Sequence, residues 1–251
     1  MSDRSRNTGR LSRDNVLEIF DKSTFERVRY DAPLAFYDDF LGAGAVVIPA
    51  AGSEESGVFW AKKIVGAAPP TVAGVADAAG GVAACTLTSA SQKQDAVLYC
   101  GDQRNFDVTK GLVLEARFKL SVLPSAAEVQ TVLGLSDDWI DGPNNASYYL
   151  QVGATANGAL VYRSKDGVNT VSASAGVTLT TADWAIARID ASDVTDVAFY
   201  INGERVNAAG SVAFAATGAN AILQPYASMY KASGAGVGTL QVDYVKIWTR
   251  R

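Results

Sequence analysis

Residues 193–206, DVTDVAFYINGERV, restrict the fold more than any other part of the chain. An alternating apolar run stops at Asn202-Gly203 and resumes as Glu204, Arg205 and Val206. Asn-Gly supplies the positive backbone angles that a tight two-residue hairpin turn requires. Residues 238–250, GTLQVDYVKIWTR, alternate again. Strict alternation puts Leu240, Val242 and Tyr244 on one face, extending to Lys246, and Gln241, Asp243, Val245 and Ile247 on the other. Residues 111–122, GLVLEARFKLSV, form the longest regular run. Leu112, Leu114, Ala116, Phe118 and Leu120 share one face, and Val113, Glu115, Arg117 and Lys119 the other, so one side is buried and the other polar.

Shorter strand-like runs fall at residues 34–40, 57–66, 82–88, 95–100, 131–135, 147–152, 159–164, 177–179, 185–189 and 221–229. Gly, Asn, Asp and Pro fill the gaps at intervals of roughly 8–15 residues, the rhythm of a sandwich. Pro69-Pro70 breaks regular structure in residues 67–81 and marks a loop. At 251 residues, 48% apolar and 19% charged, the chain is long enough for one large β domain with a substantial core. The reading is an all-β sandwich over residues 34–251, two antiparallel sheets packed face to face, preceded by an extended arm over residues 1–33.

The arm differs in composition. Its first thirteen residues hold Arg4, Arg6, Arg10 and Arg13 against Asp3 alone. Residues 14–20 have the spacing for one or two helical turns, with Val16, Leu17 and Phe20 on one side. One reading is a frayed tail. The preferred one is a segment that docks on a partner through the four arginines and through Phe20, Phe25 and Tyr30. No apolar stretch follows the basic start, so the expectation is a chain without a secretory signal. The apolar runs are too short or too interrupted to span a membrane, and a net charge of −4 argues against nucleic acid as partner.

Histidine is absent. That excludes a Ser-His-Asp triad, a Cys-His pair and a His-based zinc site, leaving carboxylates, Lys, Tyr and backbone for any catalysis. Cys85 and Cys100 flank the polar loop SASQKQD. If their strands pair about that loop, a cross-strand disulfide is within reach; the preferred reading is two buried thiols in adjacent strands. The loop SDDWIDGPNNAS offers Asp137, Asp138 and Asp141, with Asn144 and Asn145, as oxygen ligands for calcium. Its spacing fails the EF-hand rule, because Trp139 and Tyr148 occupy ligand positions 3 and 12; a polar turn shaped by Pro143 is the alternative. Trp139, Tyr148, Tyr149 and Tyr162 are candidates for a sugar platform. Against that stands the use of the same rings to fill the space between two sheets.

From LEARFKLS through DVAFYINGERV to KASGAGVGTLQVDYVKIW, roughly residues 80–251, the chain resembles the concanavalin A-like lectin/glucanase jelly roll. More narrowly, through Lys231 and the Gly-rich link to the last strand, it resembles jelly-roll structural proteins of tailed-bacteriophage virions. The resemblance implies a virion protein, assembled in the host cytoplasm. Its expected role is capsid decoration, with the arm on the major capsid protein or a neighbouring virion subunit, as a homodimer or homotrimer without cofactor or enzyme activity. The Glu-x-Asp-x-x-Glu run of the glucanases is absent; Glu115, with Arg117 and Lys119, looks like a charge ladder on a solvated or salt-bridged face. The alternative is a carbohydrate-binding module of a tail fibre or particle surface.

Overall fold

The computed structural model describes residues 8–13, 16–21, 27–29, 34–41, 54–56 and 59–250. Strands β1 (Thr8–Arg13), β2 (Val16–Asp21) and β3 (Arg27–Arg29) form an antiparallel sheet of their own. The helical turns expected around residues 14–20 give way to β2. Val16, Ile19 and Phe20 are strand formers, and β2 finds ladder partners on both sides, with Phe20 opposite Gly9 and Arg27. Arg10 and Arg13 fall in β1 and Phe20 in β2, whereas Arg4, Arg6, Phe25 and Tyr30 lie outside the described residues.

The next elements are β4 (Leu34–Asp38), β5 (Glu54–Ser56), β6 (Ala61–Val65), β7 (Thr71–Gly74), β8 (Ala83–Thr86), β9 (Gln94–Tyr99) and β10 (Phe106–Asp107). Then come β11 (Leu112–Val122), β12 (Val129–Ser136), β13 (Tyr148–Ala154), β14 (Ala159–Asp166) and β15 (Thr170–Thr178). The chain ends with β16 (Trp184–Ala191), β17 (Ala198–Ile201), β18 (Glu204–Arg205), β19 (Ile222–Lys231) and β20 (Thr239–Thr249). One sheet has eight strands, ordered β18-β17-β16-β11-β20-β8-β7 with β4 also on β20. The other has nine, ordered β15-β14-β13-β12-β19-β9-β6-β5 with β10 also on β19. Both are antiparallel and pack into a jelly-roll β-sandwich.

The core between them follows the alternation of β11. Leu112, Leu114, Ala116, Phe118 and Leu120 are all 2% exposed or less. Burying each of the large side chains among them contributes about 1.5–3 kcal/mol. The Asn202-Gly203 turn has φ of 50° and 84°, the positive pair its sequence demands. At one end of the sandwich the indole Nε1 of Trp60, just before β6, donates to Asp38 Oδ2 of β4 at 2.6 Å, tying the two sheets together. Lys231 is fully buried, and its ammonium donates to the backbone oxygens of Thr88, Ala90 and Gly236 at 2.7–3.0 Å, holding two loops to the end of β19.

Two expectations fail for local reasons. In β20 the register against β11 shifts, so that Arg117 faces Tyr244 and Phe118 faces Val242. Asp243 is the extra residue of a bulge. Beyond it the alternation flips: Val245 and Ile247 enter the core, and Tyr244 and Lys246 turn outward. Cys85 and Cys100 are both free and buried, but their strands are not neighbours. The loop between them carries the chain from one sheet to the other, since β8 pairs with β7 and β20 while β9 pairs with β6 and β19.

Candidate functional site

The side chains of each strand alternate between the core and the outside. In the nine-stranded sheet Leu150 and Val152 of β13, Ala227 and Met229 of β19, and Ala96 and Leu98 of β9 belong to the core. Their sequence neighbours Tyr149, Gln151, Gly153, Tyr226, Ser228, Asp95 and Val97 therefore line the outer face. An outer face is ordinarily wet, but this one is not. Asp95, Gln151, Tyr149, Tyr226 and Ser228 are all 3% exposed or less. Ala61, Val97, Tyr99, Val132 and Tyr226 make a second apolar cluster here, apart from the main core, with Trp139 packed on it.

The loop after β12 covers part of this face. Trp139 N donates to Asp102 Oδ1 at 2.6 Å, and Gln224 Nε2 reaches both Asp102 Oδ1 and the Asp137 backbone oxygen. Held this way, the half-buried indole donates from Nε1 to Asp95 Oδ2 at 3.0 Å. Ser228 Oγ donates to the other oxygen, Oδ1, at 2.8 Å. Lys63 Nζ stands 4.1 Å from the indole centroid, within cation–π range. Burial pushes the Asp95 carboxyl up to about 7; the hydrogen bonds from Ser228 and Trp139 pull it down, Asp141 adds to the rise and Lys63 opposes it. A shielded carboxyl that changes charge near neutral pH can give or take a proton. Beside it the Tyr226 hydroxyl is buried without a hydrogen-bond partner, and burial above all drives its pKa well up.

Along the same face, Arg163 of β14 stands directly opposite Gln151 of β13. Its guanidinium lies over Gly153, where an added Cβ would run into both Arg163 Nη1 and the Thr131 backbone oxygen. Glycine is required there by close approach. Arg163 Nη1 donates to Thr131 O at 3.4 Å. Burial lowers the pKa of the guanidinium, with Tyr149 acting in the opposite sense. Neither amide atom of Gln151 has a hydrogen-bond partner.

Of the residues expected to bind sugar, Trp139 and Tyr149 share this face and the other two do not. Tyr162 points into the core and stacks on Phe199 with centroids 5.3 Å apart, and Tyr148 packs against the same core. These two rings fill the space between the sheets, which corrects the expectation of a four-residue platform. The calcium set is dispersed by its own bonds. Asp137 Oδ2 accepts from the backbone of Ser147 and Tyr148, Asp138 pairs with Arg104, and Asp141 pairs with Lys93. Among the described residues no group of three acidic, Cys or His side chains is placed to hold a metal ion. Glu115 lies on the outer face of the other sheet and is fully buried, with the Lys246 ammonium at 3.8 Å, so Glu115 itself is salt-bridged and not solvated. Asp95, Gln151, Arg163 and Tyr226 escaped the sequence reading. Their only trace there is a polar residue at every second position of otherwise apolar strands, as in Tyr226, Ser228 and Tyr230.

Fold and site together define a jelly roll with a polar, partly covered outer face on its larger sheet. Solved structures with this fold include an endo-β-1,4-glucuronan lyase from the fungus Trichoderma reesei, at TM-score 0.54 and 13% identity over 76% of this chain and 95% of that one. A laminarinase from Rhodothermus marinus is similar at TM-score 0.55 and 12% identity over 85% and 96%. The carbohydrate recognition domain of Emp47p matches at TM-score 0.52 and 14% identity over 77% and 90%. In sequence, no family model and no curated protein matches the chain. These likenesses establish the concanavalin A-like fold. They also overturn the expectation of a non-enzyme, because a lyase and several glucanases share the architecture. Nothing in them supports the narrower expectation of a bacteriophage capsid protein.

Proposed function

We propose that this protein recognises carbohydrate, holding a polysaccharide on the outer face of the nine-stranded sheet around Trp139 and Asp95. The observation that carries this reading is the half-buried Trp139 ring held by hydrogen bond over the buried Asp95 carboxyl. An aromatic ring beside shielded hydrogen-bonding groups suits a sugar, whose ring faces are apolar and whose edges are polar. The fold it shares with carbohydrate-active proteins supports the same conclusion. A second reading, cleavage of the bound glycan, is favoured by Asp95 itself. Its carboxyl, raised to about 7 by burial, holds a proton at mildly acidic pH, the state a general acid needs. Hydrolysis needs a second carboxylate; Asp141 is close enough to raise Asp95 but is held by Lys93.

Binding of a panel of soluble polysaccharides, measured by calorimetry, tests the first reading. At least one is expected to bind, and Trp139→Ala to weaken it about ten-fold or more, in line with loss of one stacking aromatic plus its hydrogen bond. Failure of every polymer to bind would remove the proposal. Chain cleavage in the same mixtures, lost in Asp95→Asn while binding persists, is the outcome expected of the second.

A further inference from the structure

Arg163 is a buried cation on the outer face, and among the described residues no carboxylate pairs with it. Its contacts are one long hydrogen bond to a backbone oxygen and the neighbouring Tyr149 phenol. A guanidinium taken out of water without a counter-charge is unfavourable unless an anion completes it. The second observation is independent. Gln151, fully buried and directly across the ladder from Arg163, leaves both its amide nitrogen and its oxygen without a partner. Directly opposed side chains on one face start only about 4.5–5.5 Å apart at Cβ, so the two groups serve one location. Gly153, kept free of a Cβ, provides the bed on which the guanidinium lies.

We propose that Arg163 and Gln151 form an anion subsite that takes the carboxylate of an acidic sugar, making the polysaccharide held on this face a uronic-acid polymer. The planar fork of Arg163 matches the two oxygens of a carboxylate. The Gln151 amide N–H adds a donor to the same group, and its oxygen accepts from a sugar hydroxyl. Tyr149, the third group at this place, offers its ring beside the guanidinium. This inference rests on the carbohydrate reading of the face and adds the charge of the ligand to it.

The test is calorimetric binding of three oligosaccharide probes to the full chain: an oligoglucuronate, a sulfated glucan of matched length, and a neutral β-1,3-glucan. The oligoglucuronate is expected to bind at least ten-fold more tightly than the neutral glucan, with a margin that shrinks as salt rises. Arg163→Met is expected to erase that margin by weakening the oligoglucuronate at least ten-fold, and Gln151→Leu to shrink it while weakening both probes through the lost bond to a sugar hydroxyl. Both should melt no lower than the parent, because Gln151 is a buried amide without a partner and Arg163 a buried cation with one long hydrogen bond and no carboxylate. Arg163→Lys, which keeps the charge and loses the fork, should retain an intermediate margin. Equal affinity for acidic and neutral probes, or a margin that survives both variants, overturns the inference and leaves the carbohydrate reading standing. Tighter binding of the sulfated probe overturns the choice of carboxylate. Failure of all three probes to bind removes both this inference and the reading it rests on.

Discussion

The two sheets turn very different outer faces away from their shared core. On the eight-stranded sheet the buried charges are matched. Glu115 stands in register between Arg188 and Lys246. It takes a hydrogen bond from Tyr244 at 3.1 Å and has the Lys246 ammonium at 3.8 Å. Arg188 lies 3.9 Å from the Tyr200 centroid, Lys246 4.1 Å from that of Tyr244, and Arg117 4.7 Å from that of Trp184. On the nine-stranded sheet a buried guanidinium has no carboxylate among the described residues, a buried amide and a phenol have no partner, and a buried carboxyl is held near neutrality. The Trp248 indole nitrogen on the first face also lacks a partner, so the two faces differ in how their buried charges are met and not in whether every polar atom is. Buried polar groups are normally satisfied within the fold, and the guanidinium without a carboxylate is the feature on which the proposed anion subsite rests.

The strongest way to break this contrast is to remove the anion that completes the first face. Glu115→Gln keeps the shape and the Tyr244 contact but removes the carboxylate that stands between Arg188 and Lys246. Because Glu115 is fully buried, breaking its pairs should cost about 3–5 kcal/mol of stability, read from urea unfolding. A cost under 1 kcal/mol would mean that the matched charges contribute nothing to the fold, and the two faces would lose their distinction.

On the other face the sign is reversed. Burial raises Asp95 to about 7 from an ordinary value of 3.8. A raised carboxyl binds its proton more tightly in the folded state. Its contribution is fully present below about pH 4 and is lost as the pH climbs through 7, a change on the order of 4 kcal/mol. Asp95→Asn cannot ionise. It should therefore be close to the parent in stability at pH 4 and clearly more stable at pH 8, measured as the difference in urea midpoint at the two values. An equal difference at both pH values would place the Asp95 carboxylate in a satisfied site like that of Glu115.

How much of this was legible in the sequence varies with the length scale of the signal. The alternation of β11 and the Asn202-Gly203 turn were plain, because each depends on residues adjacent in the chain. Thr170–Thr178, TVSASAGVT, gave little warning of β15: an edge strand with a mostly exposed, polar run carries no apolar stripe. The bulge at Asp243 left no mark at all, yet it reassigned Tyr244, Val245, Lys246 and Ile247 to opposite faces. The site was harder still. Tyr148 and Tyr149 are adjacent, and only the neighbouring strands decide which of them meets the core. Asp95 is held by hydrogen bonds from Trp139 and Ser228, which lie 44 and 133 residues away. A lone acidic residue in an apolar strand announces that something must satisfy it, without saying what.

The smallest expected effect sharpens the comparison within the matched face itself. Arg117 and Asp243 form the same kind of pair as Glu115 and Lys246, on the same sheet, but with side chains 38% and 14% exposed. Solvent screens such a pair, and Arg117 also keeps its stacking on Trp184 at 4.7 Å when the carboxylate is gone. Asp243→Asn should therefore cost no more than about 1 kcal/mol by the same urea measurement. Read beside Glu115→Gln, it separates burial from charge as the source of the effect. A cost for Asp243→Asn equal to that for Glu115→Gln would show that exposure does not discriminate between charges on this molecule. The unmatched guanidinium of Arg163 would then be no more in need of an anion than any arginine at the surface.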